Sequence, residues 1–181
     1  LTRRPRARPP GIRLRLFMIE PQKTVDIRPE CLYNIRMKRK KQIKIIQDVV
    51  YMVAAYFNLD VDVEITVGNL QSGHDAEVGQ ECPGFYCIEF SKEFLTTEAI
   101  EDIIRVTAHE MIHVKQHELD GLELTLTESF FRGQKWLGEY WFSPWEVEAR
   151  GYELAFLQHY LHYGSDSGKT ARAARPTAYR V

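Results

Sequence analysis

The chain has 181 residues, with 24 Lys and Arg against 25 Asp and Glu, a formal net charge of -1. Hydrophobic residues make up 44% and charged residues 27%, ordinary for a folded chain and unlike a disordered one. No apolar run approaches the roughly 20 residues that a membrane-spanning helix needs. Three cysteines (Cys31, Cys82 and Cys87) are too few and too widely spaced for a disulfide framework or a zinc knuckle, so a reducing compartment, the cytoplasm, is expected.

Residues 1–17 carry six Arg, no acid and three Pro, and read as a basic leader, vector-encoded if Met18 is the natural start. Residues 18–163 are expected to form one domain, and 164–181 a basic flexible tail rich in Gly, Ser, Ala and Arg. Both tails can reach nucleic acid, but solvated ends without a role are the simpler reading. Lys38 to Asn58 has apolar residues at helical spacing (Ile43, Ile46, Val50, Val53, Ala54). Asp60 to Val67 alternates, with Val61, Val63, Ile65 and Val67 on one side, and reads as a half-buried strand. Asn69 to Gly84 reads as loop with room for a short strand, and Phe85 to Phe90 as a second strand with Tyr86, Ile88 and Phe90 on one face. Thr97 is the expected cap of a helix that Gly121 stops. The aromatic stretch from Leu122 to Phe142 reads as partly helical, and as core rather than substrate pocket or lid. Ser143-Pro144-Trp145-Glu146 combines a capping Ser, Pro at the first helical position and Glu at the capping-box position, opening a last helix to about Tyr163. Helix, strands, helix, helix is an α+β order.

Residues 109–113 read His-Glu-Met-Ile-His. Two His at i and i+4 share a helix face about 6 Å apart along the axis, so both imidazoles can converge on one ion. Glu110 sits about 100° round the helix, beside that ion, where it can accept a proton from a water on the metal. The surrounding Val106, Thr107, Ala108, Met111, Ile112 and Val114 are uncharged, as a buried helix requires; Lys115 departs from that pattern. Zinc needs a third protein ligand and an open position. His117 lies about 12 Å along the axis from His109, too far to meet it at one ion. Glu146 and Glu148 are the leading candidates and spacing does not separate them; Glu146 has a competing role in the capping box, and Glu153 and His159 stand further back.

HEMIH with the downstream Glu146-x-x-Ala149 resembles the gluzincin branch of zinc metallopeptidases, particularly small single-domain members such as ImmA/IrrE-like proteins and phage-encoded minigluzincins; the HExxH helix is also similar to that of SprT-like proteins. The resemblance spans about residues 40–163 and rests on HEMIH and EVEA. It implies a zincin-like fold: an N-terminal helix, a small mixed sheet, the HExxH helix and a C-terminal glutamate helix. It implies Glu146 as the third zinc ligand, and Gly84–Phe90 as an edge strand beside the cleft. Arg150 stands where the family usually has an acid or Asn.

The expected activity is zinc-dependent hydrolysis of peptide bonds, with His109, His113 and Glu146 on the zinc and Glu110 as general base. Tyr152 is the first choice to donate to the oxyanion, with Tyr140, His159 and His162 behind it. Residues 45–168 hold 6 basic and 22 acidic side chains, which favours basic or neutral peptide or protein substrates. The alternatives are a non-catalytic zincin-fold structural or regulatory protein of phage type, or a DNA-associated SprT-like protease using the basic 36–44 patch.

Overall fold

The computed structural model describes residues 13–16, 29–70, 73–125 and 127–164, with side chains in the first helix from Lys38 onward. The rest of the basic leader, residues 165–181 of the basic tail and the Cys31 side chain lie outside the described residues. In chain order the elements are β1 (Arg13–Leu16), α1 (Pro29–Phe57), β2 (Asp62–Gly68), β3 (Ala76–Cys82), β4 (Phe85–Ser91), α2 (Phe94–Thr97), α3 (Ile100–Leu119), β5 (Glu123–Leu124), β6 (Ser129–Phe131), β7 (Gln134–Trp136) and α4 (Pro144–Tyr163), with a 3-10 turn at Tyr140–Phe142. The fold is mixed α+β.

The larger sheet runs β1-β2-β4-β3, with β1 and β4 parallel to β2 and β3 antiparallel to β4. Part of the basic leader thus forms an edge strand, Arg13–Leu16. The alternation in β2 and β4 sets one apolar face, because side chains two residues apart point the same way. The register places Val63 beside Tyr86, Ile65 beside Ile88 and Val67 beside Phe90, and all six side chains are buried. Ile46, Val49, Val50 and Val53 of α1 and Ile103, Ile104, Met111 and Ile112 of α3 join the same core. α3 packs between α1 and α4 and also lies against β3. No helix among the described residues is long and apolar enough to cross a membrane.

Four local expectations are corrected. Gly84–Phe90 does not edge the sheet; β4 is interior and β3, from the stretch read as loop, is the edge. The outer half of β3 is exposed and carries no apolar alternation, which hid it. Thr97 does not cap the long helix: it ends α2, where its hydroxyl donates to the Glu93 carbonyl at 2.9 Å, and α3 starts at Ile100 after an extended Ala99. The Leu122–Phe142 stretch is mainly a small antiparallel sheet, its helical part confined to the 3-10 turn at Tyr140–Phe142. Arg132 and Gly133 both have positive φ between paired Phe131 and Gln134, a two-residue hairpin turn that helical periodicity cannot accommodate. Finally, Ser143 is the N-cap of α4 but makes no side-chain capping bond, so the capping box is not closed.

The aromatic stretch divides. Phe131 and Trp145 form a second small core with Leu122, and Trp136 packs against it. Leu137, Tyr140, Trp141 and Phe142 are exposed.

Candidate metal centre

α3 is buried where the motif lies: Met111 and Ile112 are fully buried, anchoring the helix and turning His109 and His113 toward α4. Pro144 starts α4 abruptly, and Glu146, in its first turn, faces that pair. The two Nε2 atoms are 3.1 Å apart. Glu146 Oε2 lies 3.4 Å from His109 Nε2, and Glu146 Oε1 lies 3.2 Å from His113 Nε2. These three residues could hold a metal ion, with all ligand atoms within 4.8 Å of one another.

The donor set suits a small divalent cation. Two ligands held about 2.0–2.1 Å from an ion at a tetrahedral angle are about 3.3–3.4 Å apart, close to the separations seen here. Glu146 is 4% exposed and its Oε1 has no hydrogen-bond partner among the described residues. A buried carboxylate oxygen left unpaired is costly unless something charged meets it.

The outer face of each ring is also engaged. His113 Nδ1 is 2.8 Å from Gln116 Oε1. His109 Nδ1 faces Glu153 Oε2 at 3.6 Å, and Arg105 Nη2 holds Glu153 at 3.0 Å. Burial opposes charge on His109, but the Glu146 and Glu153 carboxylates outweigh it and raise the imidazole to about 9. Burial likewise pushes Glu146 up, yet the two imidazoles and the nearby Tyr140 hydroxyl hold it well below the usual carboxylate range. Glu110 is 7% exposed, and burial pushes its carboxyl up to about 7 against the pull of His113 and His109. Glu77 of β3 adds to that rise, which places the edge strand near the motif.

The remaining candidates fall elsewhere. Glu148 accepts from Lys115 at 3.1 Å, Gln116 at 2.8 Å and Arg132 at 3.2 Å, and is not part of the cluster. Tyr152 stacks on Phe156 and meets the Phe57 ring edge-on. His117 is half-buried against Tyr86, and the exposed His159 and His162 rings lie against Tyr163. Tyr140, exposed for much of its surface, is the tyrosine beside the cluster: partial burial and the neighbouring Glu146 carboxylate raise its pKa. Arg150 stacks on Trp141, 4.0 Å from the ring centroid, and donates to the Trp141 carbonyl, bracing the turn that carries Tyr140. Spacing did not reveal Gln116. Its only sequence signal is a polar residue three after His113, on the helix face that carries the two imidazoles.

Comparison with known proteins adds no relative: no protein-family model, no curated protein and no solved structure matches the chain.

Proposed function

We propose that the chain is a zinc-dependent metallopeptidase of gluzincin type on a zincin-like fold, with His109, His113 and Glu146 as metal ligands and Glu110 as general base. The observation that carries the reading is the meeting of two Nε2 atoms and one buried carboxylate from separate helices within 4.8 Å. When bound there, a zinc ion supplies Lewis acidity that polarises a carbonyl and lowers the pKa of water toward about 7. Glu110, buried next to the pair and tuned toward neutrality, takes a proton from the attacking water and returns it to the leaving amine. The Tyr140 hydroxyl is a better placed donor for the developing oxyanion than Tyr152. The outer edge of β3, unpaired among the described residues, offers main-chain hydrogen bonds to an extended peptide. Exposed Trp141 and Phe142 extend an apolar wall from Tyr140, and the acidic body favours basic or neutral substrates.

Metal analysis with cleavage of a peptide library tests this directly, comparing the native chain with Glu110→Gln. Both proteins should bind about one zinc, and the variant should lose turnover by about 10²–10⁴-fold. A native chain that binds zinc and cleaves nothing would support the non-catalytic alternative, and one that binds no metal would remove the whole reading.

A further inference from the structure

The His113 ring is held by a hydrogen-bonded chain whose polarity is fixed. Gln116 is fully buried on α3, one turn beyond His113. Its Nε2 donates to the Trp145 carbonyl at 2.9 Å and to Glu148 Oε2 at 2.8 Å. Both partners are acceptors only, so they consume both amide protons and settle which end of the amide is oxygen. Oε1 therefore faces His113 Nδ1, and an amide oxygen can only accept. This contact needs the proton on Nδ1, in competition with Glu146 Oε1, which lies 3.2 Å from Nε2. Glu148 is in turn held as a carboxylate by Lys115 Nζ at 3.1 Å and Arg132 Nη2 at 3.2 Å, and Lys115 also donates to Asp120 at 2.5 Å. Lys115, Glu148 and Gln116 thus share one assembly joining the end of α3, the start of α4 and the β6–β7 turn.

We propose that Gln116 is a positioning residue for the metal centre: locked by the Trp145 carbonyl and Glu148, its amide keeps His113 as the Nδ1–H tautomer and leaves Nε2 with a lone pair for a divalent ion. A neutral imidazole carries one ring proton, so fixing it on Nδ1 presents the metal with a ready ligand. Glu148 is then a support for a ligand and not a ligand itself. The inference rests on the metal-centre reading, although the tautomer can be measured without metal.

The test reads nitrogen-15 shifts of the neutral His113 ring in the metal-free protein, assigned by their loss in His113→Gln, together with zinc affinity by competition with a chelator. Native His113 should be the Nδ1–H form. Gln116→Leu should shift the ring toward the other tautomer and weaken zinc about 10–100-fold. The paired exchange Gln116→Glu with Glu148→Gln keeps an acceptor facing Nδ1 and the net charge of the assembly, and gives up only the bond to the Trp145 carbonyl. It should retain the tautomer and bind zinc within about threefold of native. If Gln116→Leu fails to fold, the native spectrum and the paired exchange still decide. An Nε2–H native ring, or native affinity in Gln116→Leu, or loss of affinity in the paired exchange despite a native-like spectrum, would overturn the proposal. A native Nδ1–H ring in a chain that binds no zinc would instead reject the metal centre.

Discussion

At the residue scale, the cluster is a proton balance as much as a geometry. Glu146 and Glu153 have folded values below the ordinary carboxylate value of 4.5. The stability they add is present above that value and is lost as pH falls through their folded values. His109 is raised above its ordinary 6.5, so its contribution is full below 6.5 and disappears as pH rises to about 9. Glu110 acts in the opposite sense to the other two carboxylates: raised from 4.5 to about 7, it costs stability as pH climbs through that range. The metal-free chain is therefore expected to melt at its highest temperature near about pH 5, falling on both sides. Thermal melts across pH check this, and Glu146→Gln should flatten both limbs. Zinc should shrink the alkaline limb, because coordination removes the His109 proton in any case.

At the element scale, the start of α4 carries two demands that a single carboxylate cannot meet. Closing the capping box would draw Glu146 back to the Ser143 backbone; instead it faces α3, and the Ser143 hydroxyl is buried with no partner. Ser143→Ala should thus be nearly neutral, within about 0.5 kcal/mol by urea unfolding, where a working cap would cost about 1 kcal/mol. A loss above 1 kcal/mol would show that the hydroxyl caps after all. Lys115 behaves oppositely. Its side chain is 9% exposed and it pairs with Asp120 and Glu148 at 15% and 21%. Lys115→Met leaves those half-buried carboxylates with only the more exposed Arg132 between them and should cost about 1–2 kcal/mol, less than a wholly buried pair.

At the scale of the whole molecule, the ion would join α3 to α4 across their packing surface, so binding it is linked to folding. At an ion concentration about 1,000 times Kd the folded state gains about 4 kcal/mol. For a chain of this size that corresponds to a rise in Tm of roughly 10 °C. Differential scanning calorimetry with and without chelator should show that shift in the native chain, and little of it in His113→Gln. An unchanged Tm in the native chain would mean that the two helices hold no ion between them. The packing of α3 against α1, α4 and β3 is what allows one helix to bring the motif, the glutamate helix and the sheet edge together.

The sequence by itself determined the elements whose side-chain period is strong. α1, β2, β4 and α3 were legible because burial on one face forces alternation or helical spacing, α4 because Ser143-Pro144-Trp145-Glu146 marks its start, and the HEMIH pair followed from helix geometry alone. The edge strand β3 and the β5–β7 sheet were not legible, since exposed or very short strands impose little pattern. Tertiary structure decided between Glu146 and Glu148, which spacing left equal: the crossing of α4 over α3 turns one toward the imidazoles and the other toward Lys115 and Gln116. It also decided the contacts of Gln116 with His113, Trp145 and Glu148, and the place of Tyr140 near Glu146. The physical reason is that period records which face is buried, whereas a partner from another helix depends on how two faces meet.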